Sequence, residues 1–477
     1  MSRESNLIKN TAILGIGTFF PKLVNIVTLP ILTGYLTKKE FGSYDLIITL
    51  VSLFLPIVTL QIQSAAFRFL IERRDNRDQV DSIITNILVF TLPISVISLV
   101  VLYFFIPGIS GIGRFLICVY YFFDISYVTF QQITRGLSYN LIYSISSIVI
   151  STANLILIVL LVWKFKNGLY GVLIAMAVAY ALGSFYLAYK IKDKWSFRME
   201  TVSKKYIGEM LNYSWPMVPN NLSGWVLRLS DRLILTAFLG IEANAMYAVA
   251  NKIPNIYSAV HVTLNNAWVE NASIASKDDD KSAYYSSMCD NYFRILVALM
   301  AGLMMCSPLL FRFLIKGDYD EAYYQMPVLY FGMLFLSMSS VVGGIYIAFK
   351  KTRSVGITTI LAAVLNLVID LILVKKIGIW AASLSTMISY AVLFVYRMIG
   401  VQRFQKVKFN VPVLVLGVAF LTLMSVLNYQ KNLICDLINV AVFCLTIFIL
   451  DRKMIKSIYM AIMKKFKRLT NKFSSGD

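Results

Sequence analysis

Apolar runs of roughly 18 to 25 residues recur along nearly the whole chain, separated by short breaks at charge clusters and at Gly, Pro and Asn-rich turns. Runs of that length cross a ~30 Å hydrocarbon core as helices, whereas barrel strands would show only about 10 alternating residues. The pattern predicts spans near 10–35, 43–69, 82–106, 113–134, 139–163, 169–189, 210–239, 243–268, 286–315, 323–348, 354–374, 378–398, 410–428 and 433–450. The expected fold is therefore an all-α polytopic membrane protein with about 14 transmembrane helices. The longest gap is the basic stretch YKIKDKWSFRMETVSKKY after the sixth span, too short for an extramembrane domain. Any function must sit among the helices.

One break is written twice. LTGYLTKKEFGSYDL (32–46) and LTAFLGIEANAMYAV (235–249) align without a gap, Leu32-Thr33 with Leu235-Thr236, Tyr35-Leu36 with Phe238-Leu239, and Gly42 and Tyr44 with Ala245 and Tyr247. The period of about 200 residues contains six predicted helices. An even number lets the second copy enter the membrane with the same orientation, so the halves are expected to be related by an axis along the membrane normal. This gives two six-helix bundles, 1–200 and 201–402, two additional spans in 403–451, and a basic tail, 452–477.

Composition agrees with the pattern. Hydrophobic residues fill 58% of 477 positions and charged residues 15%, with a mean hydropathy of +0.70. A water-soluble chain could not cover that with polar surface. The N-terminal MSRESNLIKN leads into a first span expected to stay uncleaved, because no small-residue cleavage pattern closes it. With the N-terminus inside, the inner segments collect roughly 29 Lys and Arg against about 9 outside, the positive-inside bias. Both termini are thus expected in the cytoplasm. The net charge of +20 is then mostly loop charge facing anionic headgroups, and nucleic-acid binding is not expected.

Five cysteines stand singly, without disulfide or zinc spacing, and His261 is the single histidine, read as structural. A multi-histidine metal centre or a His-based triad is excluded. No Walker A motif occurs, and no cofactor is expected.

Charge inside the spans carries the chemistry, because an ionisable residue at mid-membrane costs at least about 2.5 kcal/mol and has to face a cavity or a partner. Lys22 lies near the centre of the first span. Arg228, Asp231 and Arg232 share one face of the seventh at i, i+3 and i+4, with Asn221 two turns earlier on the same side. Lys252 lies in the eighth span and Arg294 in the ninth; the acids are Asp124, Asp290 and Asp370. Arg232 either snorkels or pairs with Asp231 or Asp124, and Asp290 and Arg294 can cancel at i, i+4. The surplus of cations suits a diphosphate, with Lys22, Arg228, Lys252, Arg232 and Arg294 as its candidate cavity. Asp124, Asp231 and Asp370 are candidates for ion coupling or charge pairing. Pro21, Pro30, Pro216, Pro219 and Pro254 mark kinks or hinges near these cations.

The span count, the repeat, the LTxYLxxxxFGxYxL hinge and SDRLILTAFLG in the seventh span resemble the Wzx-type polysaccharide repeat-unit flippases of the multidrug/oligosaccharidyl-lipid/polysaccharide (MOP) exporter superfamily. The resemblance covers essentially the whole chain. It implies a fold like that of the MATE exporters, a bacterial inner-membrane location, and an undecaprenyl-diphosphate-linked oligosaccharide carried to the outer leaflet by alternating access. A polysaccharide polymerase, a chain-length regulator and a proton or sodium gradient are the further partners it brings into view. Two related readings stay open, a lipid II flippase and a MATE-type drug exporter. The latter calls for a carboxylate-dominated cavity, which Asp124, Asp231 and Asp370 supply only partly. A membrane polymerase or ligase would need a long catalytic outer loop, and a passive scaffold leaves the buried cations unexplained.

Overall fold

The computed structural model describes residues 3–105 and 109–450; the predicted basic tail 452–477 lies outside them. Every regular element among the described residues is helical. Packing groups the chain into two compact units. The first comprises residues 1–249 with 313–319 and 367–382; the second holds the remainder. Residues 201–249 group with the first unit.

The first unit holds α1 (Arg3–Tyr35), α2 (Lys38–Thr59), α3 (Ile62–Arg73), α4 (Arg77–Phe105), α5 (Gly111–Gly136), α6 (Asn140–Ile158), α7 (Gly168–Ile191), α8 (Lys204–Ser214), α9 (Met217–Leu239) and most of α10 (Ile241–Lys252). The second is built from α11 (Pro254–Ala275), α12 (Lys281–Leu314), α13 (Asp320–Ala348), α14 (Thr352–Ile377), α15 (Trp380–Val401), α16 (Val411–Tyr429) and α17 (Leu433–Leu450), less the stretches of α12, α14 and α15 given above to the first.

Among the described residues twelve helices are long and apolar enough to cross a membrane. The predicted seventh and eighth spans are helical but fall outside that set. α9 carries Arg228, Asp231 and Arg232, and the eighth is broken at Ile253, where Pro254 opens α11. Proline lacks the N–H that would continue α10 and is suited to a first helical turn. The predicted second span is also two helices, α2 and α3, because Leu60 and Gln61 both adopt left-handed backbone, φ 46° and 58°. Pro21 and Pro30, by contrast, lie within a continuous α1.

The surface is what a lipid solvent selects, with Val96, Ile97, Val100 and Phe104 on α4 about half or more exposed. Inside the first unit, Ile62, Leu70, Ile83, Ile84, Ile87 and Met210 form a fully buried cluster joining α3, α4 and α8. α1 crosses α6 closely, since a Cβ at Gly17 would come within 2.7 Å of Ser144 Cα, and Ser144 Oγ donates to Ile13 O at 2.9 Å. In the second unit, Asn428 Nδ2 donates to Met304 O at 3.1 Å and Asn439 Nδ2 to Asn428 Oδ1 at 3.0 Å, tying α16 and α17 to α12.

Candidate functional site

The break after α1 is shaped by its sequence. Thr37 caps α2 by accepting from Glu40 N at 3.2 Å, and Glu40 returns the bond to Thr37 N at 2.9 Å. Glu40 Oε1 also accepts from Leu169 N at 3.1 Å, fixing the start of α7. Thr33 Oγ1 accepts from Lys316 N at 2.9 Å, and Lys38 pairs with Asp318 at 2.7 Å.

The two copies of the repeated break touch. Asn244 Nδ2 donates to Gly42 O at 3.1 Å, and a Cβ at Gly42 would run into Ile241 O. Glycine is required there by the approach of another backbone, with no demand on φ. Below this contact α2 and α9 form a polar seam. Arg232 Nε lies 2.6 Å from Asp45 Oδ2, and Trp225 Nε1 donates to Ser52 Oγ at 3.0 Å and to Thr49 O at 3.2 Å. Asp45, the penultimate residue of the first hinge motif, went unassigned in the sequence. Its position as an acid inside an otherwise uncharged apolar run was the available signal.

Asp231 and Arg232 are buried, whereas Arg228 and Asn221 are exposed. The shared face expected from the i, i+3, i+4 spacing is therefore divided. Arg232 belongs to the α2 seam, paired neither with Asp231 nor with Asp124. Arg228 folds its guanidinium back over Gly224, whose missing side chain leaves room for it. Asp231 accepts from Tyr247 Oη at 2.6 Å and faces Asp370, which is fully buried with both carboxylate oxygens unpartnered.

Asp124 lies among tyrosines. The rings of Tyr120 and Tyr180 stand 5.2 Å apart and those of Tyr127 and Tyr180 5.7 Å. Among the described residues no cation pairs with it. Lys22 is half-buried in α1, and neither it nor Arg228 meets an acid or the other among the described residues.

In the second unit, Arg294 Nε pairs with Asp290 Oδ2 at 2.9 Å, the local i, i+4 cancellation, and Arg294 Nη1 donates to Leu450 O at the end of α17. Lys252 is half-buried at the last residue of α10. His261 is buried. Among the described residues no three His, Cys, Asp or Glu side chains converge as metal ligands.

This disposition of helices has known counterparts. The lipid II flippase MurJ, in an inward closed conformation, superposes with a TM-score of 0.73 at 16% identity, covering 93% of this chain and 100% of that one. MATE in complex with MaL6 gives 0.57 at 13% identity, over 83% of this chain and 96% of that one. A mutant of the Vibrio cholerae MATE transporter VcmN gives 0.57 at 13%, over 84% and 96%. In sequence, the uncharacterized membrane protein MJ1068 of Methanocaldococcus jannaschii is 24% identical over 300 residues, 58% of this chain; the match spans 58% of that relative's length. The family described as Polysaccharide biosynthesis protein matches residues 7–269, more than half of the chain. The chain is therefore a multi-pass membrane protein of the polysaccharide biosynthesis protein family, with the fold shared by MurJ and the MATE transporters of the MOP superfamily.

Proposed function

We propose that the protein is a flippase carrying undecaprenyl-diphosphate-linked oligosaccharide repeat units from the cytoplasmic to the outer leaflet by alternating access, for a surface polysaccharide such as O-antigen, capsule or exopolysaccharide. The observation that carries this reading is the sorting of charge within the helices. Arg232 and Arg294 are neutralised by Asp45 and Asp290. Lys22 and Arg228 have no acid beside them among the described residues. An unneutralised cation in a membrane helix is costly unless it serves an anion, and a diphosphate is an anion that takes charge-assisted hydrogen bonds from both a lysine and an arginine. Lys252 is proposed as a further donor to the diphosphate. Arg232 and Arg294 become positioning residues.

Asp231 and Asp370 are assigned to coupling. A carboxylate buried among membrane helices can take up and release a proton or a sodium ion during a transport cycle, and Asp370 is fully buried beside Asp231. Asp124, buried in α5, is a second candidate for the same work. Both termini are placed in the cytoplasm of a bacterial inner membrane, with the two six-helix halves rocking about the substrate and a polymerase and chain-length regulator acting downstream.

The test is export of the lipid-linked saccharide in cells carrying Lys22→Ala or Arg228→Ala. Each variant should reach the membrane at wild-type level and lose export. Normal export by both overturns the cationic site. The likeness to MurJ over 93% of the chain favours lipid II as the second reading. Accumulation of lipid II in depleted cells, in place of undecaprenyl-linked repeat units, would select it.

A further inference from the structure

At one end of the second unit, where α13, α14 and α15 meet the segment after α15, lies a cleft of about 550 Å³. Lys351 and Arg403 stand exposed at its mouth, with Ser354 and Thr358 along one wall. Lys351 Nζ rests 4.4 Å above the Phe404 ring, which packs edge-on against Tyr346 at 4.9 Å; these contacts hold Lys351 over the opening.

Beneath the cleft is Arg397, only 5% exposed. Its guanidinium makes four hydrogen bonds, all to neutral acceptors: Thr358 Oγ1 at 3.0 Å, Ser339 O at 3.1 Å, Val355 O at 3.1 Å and Thr359 Oγ1 at 2.9 Å. Gly343 and Gly400 leave space for it, a Cβ at Gly343 falling 3.1 Å from Nη1 and one at Gly400 meeting the Tyr346 hydroxyl that donates to Arg397 O. Hydrogen bonds satisfy the guanidinium's geometry without cancelling its charge. Among the described residues no carboxylate pairs with Arg397, Lys351, Arg353 or Arg403. A buried cation without a counterion is unfavourable, and Thr358 links it directly to the cleft wall.

The outer wall is apolar. Ile357, Tyr396 and Ile399 are 48%, 54% and 60% exposed, and the exposed rows continue along the same helices through Leu361 and Val364 on α14 and Val392 on α15. A free phosphate would use the cations and leave these rows idle. A molecule with a phosphate head and hydrocarbon chains would use both.

We propose that this cleft binds the phosphodiester headgroup of an anionic phospholipid, its acyl chains lying along α14 and α15, in the leaflet that the positive-inside bias assigns to the cytoplasm. The site is separate from the proposed saccharide carrier function and stands or falls without it.

The experiment is native mass spectrometry of the purified full-length protein, delipidated and titrated with phosphatidylglycerol, phosphatidylcholine or inorganic phosphate. Wild type should retain phosphatidylglycerol, and the Lys351→Gln/Arg403→Gln double variant should hold it about tenfold more weakly, with both proteins melting at the same temperature in phosphatidylcholine. A control variant at another basic segment, Lys192→Gln/Lys194→Gln, should bind as wild type does. Equal retention by the cleft variant overturns the proposal, as does equal loss in the control, which would signify undirected surface attraction. Competition by millimolar inorganic phosphate as effective as by the lipid also overturns the headgroup assignment, leaving a simple phosphate site.

Discussion

Arg232 and Asp45 face each other across α9 and α2 at 2.6 Å, with their side chains 10% and 7% exposed. The pair joins the helix before the second hinge to the helix after the first. Removing either partner strands a buried charge, at a cost of about 3 kcal/mol. Arg232→Ala and Asp45→Ala should each lower the melting temperature of detergent-purified protein, and the neutral Asp45→Asn/Arg232→Gln pair should recover much of the loss. If the single variants melt as wild type does, the seam is not a structural joint.

Charge and shape can be separated at the proposed substrate cations. Lys22→Arg should retain part of export, because an arginine still offers charged donors to a diphosphate. Lys22→Glu should fall below Lys22→Ala, since it repels the anion in addition to removing a donor. Export by the Glu variant at or above the Ala level would argue against an anionic cargo at this position.

Asp370 and Asp231 should separate coupling from folding. Asp370→Asn removes a buried charge whose oxygens have no partner, so the variant should be at least as thermostable as wild type. Its transport, measured in vesicles with and without an imposed proton or sodium gradient, should lose the dependence on that gradient. Asp124→Asn should likewise fold, having no cation partner to strand among the described residues. Gradient dependence that survives in both variants would remove these acids from coupling.

Gly42 is a test of the contact between the two hinges. Gly42→Ala sets a methyl against the Ile241 carbonyl and should cost about 1–3 kcal/mol. Gly15→Ala, on α1 where a Cβ meets nothing within 4 Å, should be neutral or slightly stabilising. Equal melting temperatures for the two variants would mean that the hinges do not press on each other.

Sidedness is open to labelling. In a cysteine-free background, thiols at Lys39 or Glu242 should react with an impermeant reagent from outside, and one at Lys192 should not. Reaction at Lys192 from outside would invert the proposed topology.

The helices were largely legible because apolar length and helix-ending residues are local properties. The Thr37–Glu40 capping box and Gly240, with φ 93°, end and begin elements where the sequence says they should. The break between α2 and α3 was not legible, since Leu60 and Gln61 have no preference for left-handed backbone, and the bond that Ser214 Oγ donates to Leu60 O at 2.9 Å comes from a distant stretch of chain. Helical spacing placed Arg228, Asp231 and Arg232 near one another but could not say which would turn inward. That choice rests on Asp45 and Tyr247, and Asp45 is contributed by a distant stretch of chain. The separation of Lys22 and Arg228 from the paired arginines had the same origin, because sequence spacing reveals only partners within a helix.

The polarity of α9 bears on how the chain is made. A translocon tests each emerging segment against lipid, and a segment with Arg228, Asp231 and Arg232 partitions poorly alone. Synthesis runs from the N-terminus, so α2 is already in the bilayer, with the Asp45 carboxylate at its α9-facing surface, when Arg232 leaves the ribosome. Ion pairing with a waiting helix offsets part of the insertion penalty of the next. The expected consequence is order-dependent insertion, with α9 entering the membrane less efficiently when Asp45 is replaced.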